Sequence, residues 1–196
     1  MQYRPLKALG LLACASCQGD PSTVQDLGRP AIEVMAEGKS IARVAPGHPC
    51  RATVAGIELI VGGPPLLATV GDTRWTAETA SNGTTFKKND QPVARIHANQ
   101  LFDSQGLPLV KVTETGTIAN GPGRVLRRAT AVKGTPSRVE IRNLGKEPAP
   151  GSPATPESVV VTNTDDIVLA SLLAAPEAEP EIRGLVACHL LQAAGS

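Results

Sequence analysis

The chain has 196 residues, enough for one domain that buries roughly 70% of its unfolded surface, and its 19 glycines and 17 prolines are scattered rather than periodic. Nineteen basic against eighteen acidic residues leave a formal charge of +1, too little for a global field that would draw in nucleic acid or an anionic bilayer. Four aromatic residues (Tyr3, Trp75, Phe86 and Phe102) make base stacking a poor binding mode and leave Val, Leu, Ile and Ala to fill the core.

At the amino terminus Arg4 and Lys7 precede the apolar run 8–13, which ends in Cys14-Ala-Ser-Cys17 and is followed by polar residues. A basic start, a short apolar run and small residues at a break describe a secretory signal over 1–17, and six apolar residues are far from the roughly 20 that span a bilayer. Leu11-Leu-Ala-Cys14 resembles a bacterial lipobox, in which a small residue precedes a cysteine that becomes acylated. Cys14 has the usual Leu three positions upstream, while Cys17 leaves a longer apolar run after Lys7, so the lipidated residue is Cys17 or Cys14. Residues 18–30 are polar and turn-rich and read as a tether. The Cys14-x-x-Cys17 spacing, without a following βαβ pattern, reads as leader rather than as a redox or zinc half-site.

From residue 31 onward the chain is a series of strand-length runs bounded by Gly, Pro, Asn or Asp: 31–36, 40–45, 51–55, 57–61, 66–70, 74–79, 84–88, 92–97, 107–113, 124–133, 137–143 and 158–162. A dozen short strands with frequent turn signals predict a mainly β, antiparallel barrel or sandwich within a single domain, 31–196. One pattern is written twice, as F-K-K-N-D-Q-P-V-A-R-I from Phe86 and F-D-S-Q-G-L-P-L-V-K-V from Phe102. Each copy reads as a strand end, a polar turn and a half-buried strand. Arg95 and Lys111 occupy equivalent places in the two copies, and a shared outward face would make them a patch for an anionic ligand; a plain solvated face is the competing reading. Residues 145–156 hold six glycines or prolines and read as an exposed loop.

The carboxy terminus changes character. Asn163-Thr-Asp-Asp166 supplies a cap and an acidic first turn for the run 167–175, apolar on nearly every side, so a buried helix is predicted over 165–175. Pro176 and Pro180 break the chain, and a second helix is predicted over 180–193 with Ile182, Leu185 and Val186 in its stripe and His189 as a further candidate for it. Barrel strands need something apolar to enclose, which places Val93, Ile96, Leu109 and Val112 near the first helix.

Little here carries chemistry. No serine lies in G-x-S-x-G, and the three histidines, His48, His97 and His189, have no nucleophile at a motif spacing, so no enzyme and no cofactor is expected. Once the leader is removed, Cys50 and Cys188 form an even pair, read either as one disulfide or as two buried thiols. His48, Cys50, Cys188 and His189 also have the ligand inventory of a tetrahedral zinc site, although their spacings are poor.

Hairpins of the form F-D-x-x-G-x-P-L-V-K-V, followed by an apolar C-terminal helix, resemble the tubby-like superfamily that includes phospholipid scramblases. That resemblance, over about 41–191, implies a closed antiparallel barrel around a hydrophobic helix and association with phosphoinositides or anionic membranes. It matches no lipid-binding residue, two helices stand where the family has one, and F-D-x-x-G also resembles the repeats of large toxin shells. The resulting expectation is a non-catalytic, exported module in the cell envelope, anchored to a membrane by its N-terminal lipid and binding an anionic lipid, an envelope component or a protein, with no nucleic acid. The alternative is an intracellular, cytoplasmic tubby-like interaction protein with a structural zinc.

Overall fold

The computed structural model describes residues 25–26, 28–62, 67–144 and 156–194. The leader with Cys14 and Cys17, the first part of the tether and nearly all of the loop 145–156 lie outside the described residues.

In chain order the strands are β1 (Gln25–Asp26), β2 (Ile32–Ala36), β3 (Lys39–Ala45), β4 (Gly47–His48), β5 (Cys50–Val54), β6 (Ile57–Val61), β7 (Leu67–Val70), β8 (Thr73–Ala80), β9 (Gly83–Lys88), β10 (Gln91–His97), β11 (Gln100–Asp103), β12 (Pro108–Val112), β13 (Thr117–Asn120), β14 (Val125–Val132), β15 (Arg138–Asn143) and β16 (Ser158–Thr162). Two helices follow, α1 (Ile167–Leu173) and α2 (Pro180–Ala193). β1 and β4 pair as a small ribbon, and the other fourteen strands close into one antiparallel barrel. Nearly every strand pairs with the next in sequence, and β16 returns to β2 to close the ring. Closure removes sheet edges, which favours the barrel over the sandwich. The two-residue turns at Glu37 and Gly38, Ala55 and Gly56, Asn89 and Asp90, and Ala98 and Asn99 have positive φ at both positions, the turn geometry whose twist matches the flanking strands.

Inward positions of the wall are apolar and outward positions are polar or charged: in β5, Cys50, Ala52 and Val54 are buried while Arg51 and Thr53 are exposed. This is the reverse of a membrane-spanning barrel, which turns its apolar band outward. A ring of fourteen strands is wider than its own side chains can fill. The helices fill it. Asp166 caps α1 by accepting the Leu169 amide at 2.9 Å, and Leu169–Leu173 are all buried. Pro180 opens α2, which runs back beside α1. α1 packs on β12, β14 and β15, whereas α2 packs on β3, β5 and β6, so the helical hairpin bridges opposite walls from within.

Small residues set that spacing. The inner wall carries Ala36, Ala42, Ala52, Ala68, Ala94 and Ala129 among its buried positions. On α2, a Cβ at Gly184 would collide with Leu59 Cδ1 and stand 3.3 Å from Ala52 Cβ, so glycine is what lets the helix touch β5 and β6. α1 enters at what we term the near end, beside the start of β2, and hands over to α2 at the far end.

The repeated segments occupy β9–β10 and β11–β12. Copy one pairs Arg95 with Thr85; copy two pairs Lys111 with Gln100, one residue away from the equivalent partner Leu101. A one-residue slip reverses facing. Phe86 is therefore fully buried, and Phe102 lies on the outer side with Arg95 stacked over it, the guanidinium carbon 4.7 Å from the ring centre. Of the four residues expected near the first helix, Ile96 and Val112 are buried, whereas Ala94 and Val110 take the other inward positions and leave Val93 and Leu109 partly buried; α1 packs on β12, the strand of Leu109 and Val112.

Candidate functional site

At the near end, Cys50 on β5 and Cys188 on α2 are joined in a disulfide with Cα atoms 5.8 Å apart, both residues fully buried. The zinc set does not assemble: both sulfurs are consumed by the disulfide, His48 is exposed on β4, and His189 turns to β9. Among the described residues no three His, Cys, Asp or Glu side chains form a metal-holding group. His189 Nε2 shares a 3.1 Å hydrogen bond with the Thr84 hydroxyl, which is 3.0 Å from the Thr79 hydroxyl, and its imidazole sits edge-on to Phe86. Burial pushes its pKa below the usual imidazole value. A cavity of about 180 Å³ opens beside the disulfide between Arg29, His48, Leu191 and Gln192.

The far end holds a charged cluster inside the wall. Arg127, buried on β14, forms an ion pair through Nη2 with both carboxylate oxygens of Glu177 in the turn between the helices. Arg183, in the first turn of α2, lies in the same field; desolvation lowers its pKa, Glu177 opposes that shift, and its buried Nε has no hydrogen-bond partner among the described residues. Both arginines line an apolar cavity of about 60 Å³ between Ile41, Ile141 and Val159. Glu177 thus offsets one of two cations and fastens the helical turn to the wall.

The outer wall at the same place carries a different pattern. Elsewhere the register separates charges or alternates them, as where Glu33 faces Arg43. Arg128 on β14 and Arg142 on β15 are instead directly opposite each other, the one like-charged facing pair among the described registers. Such a pair is destabilising unless an anion answers it. Glu140 answers in part, 3.5 Å from Arg142 and 3.1 Å from Arg138, and Arg128 has no carboxylate partner among the described residues. Arg128, Thr130, Glu140, Arg142 and Leu144 line a surface depression of about 330 Å³, and Leu144 is 56% exposed. Two guanidinium groups side by side at an apolar margin can hold a phosphate or carboxylate oxygen from two directions.

Arg95 and Lys111 both point outward, but β11 separates them and they fall in different cross-strand rows: Arg95 faces Phe102, and Lys111 faces Gln100. They are not side by side. Sequence reasoning pointed to Arg95 and Lys111 and missed the facing of Arg128 and Arg142. The missing signal was the hairpin register, since the turn 133–137 pairs residues 127 to 132 with 143 to 138 and so sets 128 against 142. Comparison with protein-family models, with curated proteins and with solved structures finds no match to this chain.

Proposed function

We propose that this protein is a non-catalytic binding module of the cell envelope, tethered to a membrane by acylation at Cys17 or Cys14, and that its barrel recognises an anionic lipid headgroup at Arg128 and Arg142. The carrying observation is the facing arginine pair in an open depression with one shared carboxylate beside it. The buried Cys50–Cys188 disulfide supports an oxidising compartment, because such bonds persist in exported proteins and are rare in the cytosol. It also weighs against the intracellular alternative, whose zinc set needs those sulfurs as thiolates. The helical hairpin occupies the barrel interior, which favours the outer wall over a lumen as the ligand surface.

The test is titration with dihexanoyl phosphatidylglycerol below its micelle concentration, followed by NMR shifts of arginine side chains, with dihexanoyl phosphatidylcholine as the neutral control. The expected result is saturable binding of the anionic lipid that Arg128→Ala with Arg142→Ala weakens at least tenfold, a charge-assisted pair of contacts being worth about 1.5–3 kcal/mol. Absence of anionic-lipid binding, or equal binding by the double variant, overturns the headgroup assignment. For the tether, the mass of the N-terminal peptide should carry a diacylglyceryl group; an unmodified Cys14 and Cys17 in mature protein removes it.

A further inference from the structure

Four large hydrophobic side chains are exposed among the described residues: Ile60, Leu107, Val125 and Leu144. Three of them belong to consecutive hairpins at the far end of the barrel. Leu107, 58% exposed, closes the turn between β11 and β12, where Asp103 Oδ1 accepts the backbone N–H groups of Gln105 and Leu107 and so holds the tip in one shape. Val125 follows the next tip, 121–124, which lies against β12 so closely that a Cβ at Gly121 would collide with the Pro108 carbonyl. Leu144 leaves the end of β15 and donates its amide to the Leu126 carbonyl at 2.9 Å, beside Val125. The three apolar side chains thus sit along one arc of the rim, each on a hydrogen-bonded segment.

Charge follows the same arc. Arg124 is exposed between Leu107 and Val125, and Arg128 and Arg142 stand just behind Val125 and Leu144. Of the carboxylates here, Asp103 is engaged with its own turn, Glu140 with Arg138 and Arg142, and Glu157 is exposed at the start of β16. The turns on the other side of the same end instead carry exposed Glu37, Asp72 and Asp90. Apolar tips backed by arginines suit the interfacial zone of an anionic bilayer, where the side chains enter the headgroup region and the guanidinium groups stay at phosphate level. The apolar side chains come from different segments of the rim, whereas an apolar protein partner would call for one continuous patch.

We propose that the far-end arc formed by Leu107, Val125 and Leu144 inserts into the surface of an anionic membrane, with Arg124, Arg128 and Arg142 against the lipid phosphates. The proposal rests on the headgroup reading above and adds an insertion surface and an orientation to it.

The experiment uses the full chain with Cys14→Ser and Cys17→Ser, so that no acyl anchor contributes and a newly placed cysteine is the single reactive thiol beside the disulfide. Leu107→Cys, Val125→Cys, Leu144→Cys and Ile60→Cys are each labelled with an environment-sensitive fluorophore and mixed with vesicles containing 30% phosphatidylglycerol in phosphatidylcholine, or phosphatidylcholine alone. Ile60 lies on β6, six strands around the ring from β14. Probes at 107, 125 and 144 should shift to the blue and be quenched by a lipid-borne quencher on the anionic vesicles, while the probe at 60 stays unchanged. Leu107→Ser and Leu144→Ser should each weaken partition about fivefold to tenfold. No shift at the rim, or an equal shift at 60, overturns the insertion surface. The two proposals fail separately: if short-chain phosphatidylglycerol still binds through Arg128 and Arg142, the headgroup site stands without the rim, and if that binding is absent, the site itself is lost.

Discussion

At the scale of single residues, three polar groups sit where an apolar core would be simpler, and each has a different consequence. Arg127 and Glu177 form a pair that is stabilising only as a pair, because either charge left alone at that depth would carry an uncompensated desolvation cost. Trp75 keeps a buried indole N–H without a hydrogen-bond partner among the described residues while Lys88 lies 5.2 Å from its ring. His189 makes stability depend on pH. Its folded pKa is depressed by burial, so the unfolded chain binds its proton more readily, and stability is gained as pH rises and lost as pH falls below the ordinary imidazole value of about 6.5. The loss levels off once pH passes the folded value. Urea denaturation across pH 7.5 to 5 should therefore show a decline that His189→Gln flattens, since glutamine retains a partner for Thr84 and does not titrate. Parallel curves for the two proteins would show that His189 contributes nothing to the decline. Arg127 was not legible as buried: a single charged residue in a sequence does not reveal which wall it faces, and Arg127 differs from its neighbour Arg128 only in parity.

At the scale of elements, the helices were the most legible part. The Asp166 cap, the all-round apolar run and Pro180 at a helix start are local signals, and local signals need no tertiary context. The strand pattern was legible as far as alternation allowed. β11 and β13 have 4 residues each, too few for a clear period, although the repeat marks Phe102 as a strand end. Register was not legible. The slip between the two copies comes from different turns, two residues with positive φ at Asn89 and Asp90 in the first and a longer turn organised by Asp103 in the second. It turns one phenylalanine in and its counterpart out. The same absence of register hid the facing of Arg128 and Arg142. Besides the backbone, the covalent link between the helical hairpin and the wall among the described residues is the disulfide, which closes a loop of sequence separation 138. In the chain-entropy model such a closure stabilises by about 5 kcal/mol. Cys50→Ser with Cys188→Ser should accordingly lower the unfolding free energy by up to that amount and remove any response to dithiothreitol, while the native protein destabilises on reduction. A native protein indifferent to reductant, with no free thiol beforehand, would argue that the bond adds nothing to the fold.

At the scale of the whole molecule, the barrel and the hairpin depend on each other. A ring of fourteen strands with alanines on its inner face has no core of its own, and a pair of apolar helices outside a wall has nothing to cover it. The mutual need explains why the fold class was readable before any register was: a dozen alternating strands and a helix greasy on all sides fit together in one way, with the helix inside. It also gives a prediction. Ending the chain after Asn163 deletes Leu169, Leu172, Leu173, Ile182, Leu185 and Val186, all buried against the wall. At about 2 kcal/mol for each buried side chain the loss is roughly 12 kcal/mol, comparable to the entire stability of a domain of this size. The truncated chain keeps every strand yet should lose the native near-ultraviolet signal of Trp75, bind a hydrophobic dye and unfold without a cooperative transition. A separately made peptide covering 164–194 should restore cooperativity when added, because it returns the filling although the covalent connection is gone. A truncated chain that melts cooperatively with Trp75 still in its native environment would mean that the wall supports itself, and the helices would then need another explanation than packing.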